Sequence, residues 1–205
     1  EYLRLARALC DRYAVHLICD EIAVGCGRSG TFFAHDQAGI KPDFLCLSKG
    51  ISGGYLPLSI VLTTDAVYGA FWDDATARGF LHSHSYTGNA LACRAALATL
   101  DIFAEDDVIA RNKSLSDRLY AALAPLAERP EVRHLRRRGM IQAFDVASDD
   151  PHFSRRFYRA ALAREALLRP IGTTVYVMPP YIVNDAEIEH LARALEGALD
   201  EALAG

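Results

Sequence analysis

The 205-residue sequence predicts an α/β fold in which part of a large sheet domain is followed by a smaller carboxy-terminal α/β domain. Two observations carry this. Short, wholly apolar runs end in polar or glycine-rich turns, as expected of strands in a parallel or mixed sheet covered by helices. Longer segments between and after them repeat apolar residues at helical spacing, so strands and helices alternate along the chain.

The elements follow in order. EYLRLARALCDRY, 1–13, is amphipathic and predicts a helix that runs almost directly into the strand VHLIC, 15–19, which ends on Asp20 and Glu21. DFLCLSKG, 43–50, and LSIVLTT, 58–64, are two further apolar runs, both expected to be buried on both faces. From Gly88 the pattern turns helical, first in ALACRAALATLDIFAEDD and then in VIARNKSLSDRLYAALAPLAE, which closes near Pro130. These helices look like a bridge, which puts a domain boundary near Asp101 and divides the chain into 1–100 and 101–205. Beyond it come a strand in GMIQAFDV, a helix in HFSRRFYRAALAREA and an extended pair around LLRPIGTTVYVMPPYIV. A last helix starts from Asp185, whose side chain can cap AEIEHLARALEGALDEAL.

Composition narrows the function. A net charge of −4 with interspersed signs offers no footprint for nucleic acid, and Arg136, Arg137 and Arg138 read as a solvated strand edge. No apolar stretch approaches the ~20 residues that span a bilayer, so a soluble protein is expected. Five cysteines without a CxxC pair suggest a reducing cytoplasm. The absence of an initiator Met and the opening inside a helix suggest that further chain precedes Glu1.

GCGRSG, with Gly25, Gly27 and Gly30, matches a dinucleotide fingerprint, but TFFAHDQAGIKPD reaches Pro42 too soon to hold the helix that motif needs. The glycines read better as a tight loop. Asp20 closes a strand at the end where α/β sheets bind ligands, though it could equally cap a turn. Lys49 stands just beyond the strand DFLCLS, before Gly50, Gly53 and Gly54. It is one of three lysines beside nineteen arginines, and only Lys can be desolvated into a neutral nucleophile. His82 and His84 lack a third metal ligand at usable spacing, so no metal is expected. Ser83, Ser85 and Thr87 offer donors for an anion just before a helix, or a cap for it. Arg169 could clamp a carboxylate or be structural, and Tyr176 and Tyr181 read as core or interface aromatics.

Read together, LICDEIAVGCGRSGTFFAHDQAGIKPDFLCLSKGISGGYLPLS resembles the cofactor-binding segment of class III aminotransferases of fold type I. The resemblance implies pyridoxal phosphate as cofactor. Asp20 would pair with the pyridine nitrogen, Lys49, 29 positions later, would hold the cofactor as a Schiff base, and Ile22 would pack on the ring. HSHSYTGNALA resembles the family segment that reaches across a homodimer to the partner's phosphate, which assigns His84 and Ser85 to the cofactor and Ser83 to substrate. RPIGTTVYVMPPYI is most similar to the biotin-pathway branch of the family. There the Arg binds the carboxylate of 8-amino-7-oxononanoate and the Tyr lies by the substrate, roles that pass to Arg169 and Tyr176, with S-adenosylmethionine as the implied donor. The resemblance covers the second half of a typical member. An ω-amino acid or ornithine transaminase, a nicotinamide oxidoreductase and a non-catalytic fragment stay open as alternatives.

Overall fold

The computed structural model describes residues 1–204. They form two compact units, Glu1–Ile109 and the residues from Ala110 onward. Among the described residues no helix is long and apolar enough to cross a membrane.

In the first unit, α1 (Tyr2–Tyr13) ends on Ala14 in a left-handed conformation. The sheet has the order β1 (Ile18–Asp20), β2 (Phe44–Leu47) and β3 (Ile60–Thr63), with β1 parallel to β2 and β3 antiparallel to it. The first strand begins later than the apolar run predicts. Asp43 marks this start: its Oδ2 accepts the Leu17 N–H at 2.7 Å and the Arg7 guanidinium at 2.7 Å, while the Leu17 carbonyl already accepts from Asp43 N at 2.9 Å and Phe44 N at 3.1 Å. These bonds hold the Asp43 carboxyl below the usual carboxylate range. The expectation that all three runs are buried on both faces is corrected: Cys19, Leu45 and Leu47 form a core on one face, while Ile18 is 61% and Val61 63% exposed. A short helix, α2 (Asp65–Gly69), precedes an exposed stretch, and α3 (Ala90–Glu105) packs through Ala96 on Cys26 and Ile51.

The second unit is an antiparallel sheet in the order β4 (Val132–Arg138), β5 (Ile141–Val146) and β6 (Thr174–Val177). Gln142, Phe144 and Val146 alternate inward along β5, as a half-covered strand requires. They pack with Val175 and Val177 against α4 (Val108–Leu123), α5 (Phe153–Leu162) and α6 (Asp185–Leu203). Of the extended pair expected around 167–183, only β6 joins the sheet; Ile171 makes a single bridge to Thr174. The α6 cap is Asn184 rather than Asp185. Its side chain accepts the Glu187 N–H at 3.0 Å while Glu187 returns the bond to the Asn184 N–H at 2.8 Å, a reciprocal capping box.

The outer face of this sheet carries a charged cluster. Register slips between Arg133 and Arg136, where His134 takes a φ of 53°, and the bulge aims Arg136 at Asp145. Both Asp145 oxygens accept from Arg136 at 3.0 Å, and Thr174 adds a bond at 2.8 Å. With Arg136 the largest cause, the Asp145 carboxyl is lowered to about 2. A depressed carboxylate stabilises the fold above its unfolded value, about 4, and loses that contribution as pH falls toward 2. Asp145→Asn is therefore expected to cost about 1 kcal/mol near neutral pH once solvent screening is allowed for. Denaturant titrations should show the gap closing between pH 5 and pH 2.

Candidate active site

The site is built at the carboxyl ends of two adjacent parallel strands. Asp20 ends β1 opposite Cys46, and Lys49 follows β2 by two residues, so strand pairing brings both to the same edge of the sheet. This is the end at which open α/β sheets bind ligands.

Asp20 is exposed. Its Oδ1 accepts the Ile22 N–H at 3.0 Å, a bond that fixes the carboxylate across the turn and leaves Oδ2 without a hydrogen bond among the described residues. Ile22 is half-buried beside it.

Lys49 is held by its backbone. It opens a 3-10 turn, Lys49–Ser52, in the left-handed region at φ 47°, where a side chain is uncommon and costs energy. The Lys49 carbonyl accepts from Gly54 N, Ser52 Oγ donates to Leu56 O at 2.7 Å, and Ser48 Oγ donates to Leu58 O at 2.6 Å. Gly50 is required by close approach: a Cβ there would meet Cys26 Cβ at 2.9 Å. Cys26 is itself buried, and burial pushes its thiol up to about 11, so it packs the turn as a neutral group and is no nucleophile at neutral pH. Among the described residues the Lys49 ammonium makes no hydrogen bond or ion pair.

Ser83, His84 and Ser85 lie in an exposed segment before α3 and make no bond to Asp20 or Lys49. His84 Nδ1 accepts the Tyr86 N–H at 3.2 Å. The α3 cap is Asn89, whose Oδ1 accepts from Leu91 N and Ala92 N. That bears on the capping alternative, because the hydroxyls of Ser83, Ser85 and Thr87 are left without partners inside the chain.

In the second unit, Arg169 is exposed and makes no ion pair among the described residues, just before the Ile171–Thr174 bridge. Tyr176 lies on β6 opposite Ala143, half-buried on the face away from the core residues Val175 and Val177.

Comparison with known proteins identifies the family. The sequence matches the family described as Aminotransferase class-III over residues 1–199. The chain belongs to the class III aminotransferases. It is 49% identical over 98% of its length to the adenosylmethionine-8-amino-7-oxononanoate aminotransferase of Helicobacter pylori, of which it covers 47%. A crystal structure of the enzyme of the same name from Methanocaldococcus jannaschii is similar at a TM-score of 0.90 and 34% identity, with 98% of this chain and 49% of that one covered. An amine transaminase from an uncultivated Pseudomonas species, solved in its PLP-bound form, is similar at a TM-score of 0.87 and 34% identity, covering 96% of this chain and 47% of that one. The class III chain thus spans about half the length of the relatives it matches.

One buried acid beside these residues was passed over by sequence reasoning. Glu21, next to Asp20, is 3% exposed and fully hydrogen-bonded. The signal for it was present as two adjacent acids at a strand end, which cannot share a face.

Proposed function

We propose that the chain forms the lysine-bearing half of a pyridoxal-phosphate-dependent transaminase that converts 8-amino-7-oxononanoate to 7,8-diaminononanoate, with S-adenosylmethionine as amino donor. The observation that carries this reading is the pair Asp20 and Lys49. One carboxylate oxygen and one amine, neither partnered among the described residues, stand at the ligand ends of neighbouring parallel strands. They fit the two ends of a pyridine aldehyde. The substrate rests on the names of the relatives and on Arg169 and Tyr176.

Pyridoxal phosphate, when bound, supplies an electron sink for the carbanion formed at the substrate carbon. Asp20, as carboxylate, keeps a proton on the ring nitrogen, and Ile22 packs on one ring face. The Lys49 amine would hold the cofactor aldehyde and would serve as the base and acid that moves a proton at the substrate carbon. Arg169 binds the carboxylate of the keto substrate in a bidentate pair and Tyr176 lines the same region. Ser83 meets substrate, and His84 and Ser85 hold the phosphate of a second copy, which makes the active species a homodimer with shared sites. We place it in the cytoplasm.

The test is reduction of the complete protein with borohydride after adding pyridoxal phosphate, followed by mass analysis of the Lys49 peptide. The cofactor mass on that peptide, with amination of the oxononanoate by S-adenosylmethionine, is expected. A likeness of equal identity to an amine transaminase favours a second reading, which amination from simple amines but not S-adenosylmethionine would select. An unmodified peptide rejects both.

A further inference from the structure

We infer that Glu21, locked by the 34–35 loop and His35, is the positioning residue that holds the Asp20 carboxylate toward the cofactor ring. The inference rests on the reading of Asp20 as partner of the ring nitrogen.

The argument begins with strand alternation. Along β1 and just past it, Ile18 is exposed, Cys19 buried, Asp20 exposed and Glu21 buried. Glu21 N donates to Cys46 O at 2.9 Å, which carries the β1–β2 pairing one step beyond Asp20. Residues one apart on an extended chain point to opposite faces, so whatever fixes Glu21 inward fixes Asp20 outward.

Glu21 is fixed by three bonds. Its Oε2 accepts the Ala34 N–H at 2.6 Å, and its Oε1 accepts the His35 N–H and the His35 Nδ1–H, each at 2.8 Å. An acceptor carboxylate requires the proton on Nδ1 of His35. The ring is buried, stacks on Phe33 at 5.5 Å, and has Asp36 at 3.6 Å from Nε2. A carboxylate taken out of water at 3% exposure is tolerated only when bonded in this way. Gly25 completes the clamp: its N–H donates to Glu21 O at 2.9 Å, and a Cβ there would lie 2.9 Å from that oxygen and 3.2 Å from Glu21 Oε2. One glycine of GCGRSG therefore serves the close approach of the loop to Glu21. The strand end is bonded to a loop 13 to 14 residues away, and Asp20 sits between that anchor and its own bond from Ile22 N.

Glu21→Gln keeps the shape and removes the charge, and His35→Gln loses one of the three bonds while leaving Glu21 in place. Two readings test them in the complete protein. Without cofactor, exchange of the Ile22 amide, which is bonded to Asp20 Oδ1, is expected to quicken by about tenfold in both variants. With cofactor labelled at the ring nitrogen, the 15N resonance should move toward the unprotonated position while borohydride still traps one cofactor on Lys49. Should Glu21→Gln fail to fold, His35→Gln carries the test with the same expected shifts. Normal trapping with an unchanged 15N resonance and unchanged Ile22 exchange overturns the inference and leaves the transaminase reading intact. No trapping in the unaltered protein overturns that reading and this inference with it.

Discussion

Lys49→Arg is expected to abolish covalent capture of pyridoxal phosphate and to lower transamination on the order of a thousandfold or more, the scale of losing a general acid–base group. The substitution keeps a positive charge and a long side chain, so steering of an anionic cofactor survives. What it removes is a proton that can leave. Guanidinium stays charged in proteins, whereas an ammonium can give up its proton, attack a carbonyl and then shuttle protons. Lys49 is exposed, its side chain bonds to nothing among the described residues, and the bonds that set its turn come from its backbone and from Ser48, Ser52 and Gly54. Unfolding curves of the variant should therefore overlay those of the parent. Lys41 and Lys113 provide an internal control. Reductive trapping on either of them in the variant at the parent's level would take the assignment away from Lys49.

The parts of this site legible in the sequence are those that local pattern encodes. DFLCLS ends where an apolar run stops, so Lys49 could be set at a strand end without knowledge of its neighbours. Asp20 followed in the same way. Their meeting depends on parallel pairing of β1 with β2, and it is the family resemblance, not periodicity, that joins two residues 29 positions apart. That one of two adjacent acids at the end of β1 must turn inward is legible, but the partners of Glu21 are not, because Ala34 and His35 lie 13 to 14 positions away through a loop without periodic signal. The strand β4 was seen only as the edge Arg136 to Arg138. VRHLRRR has few apolar residues to alternate, and the bulge at His134 breaks the period-two pattern. The antiparallel direction of β3 is likewise invisible in LSIVLTT. The α6 start was missed by one position because Asn184 and Asp185 are both good caps, and the choice is made by the return bond from Glu187.

Asp20→Asn separates holding the cofactor from tuning it, and a loss of turnover on the order of a hundredfold to a thousandfold is expected, the scale of removing one fixed charge from developing charge. Asn can still accept the Ile22 N–H through its carbonyl oxygen, so the turn between β1 and the glycine loop survives. It cannot carry the negative charge that keeps a proton on a pyridine nitrogen. Trapping on Lys49 should therefore stay near one cofactor per chain while turnover falls, the opposite of Lys49→Arg, which loses both. A cofactor analogue methylated on the ring nitrogen sharpens the result, since its positive charge is permanent and needs no carboxylate to maintain it. That analogue is expected to recover activity in Asp20→Asn relative to the ordinary cofactor, provided the methyl group fits the space vacated by the proton. Equal turnover of parent and Asp20→Asn with the ordinary cofactor would remove Asp20 from the chemistry, and with it the physical reason for burying a fully bonded glutamate beside it.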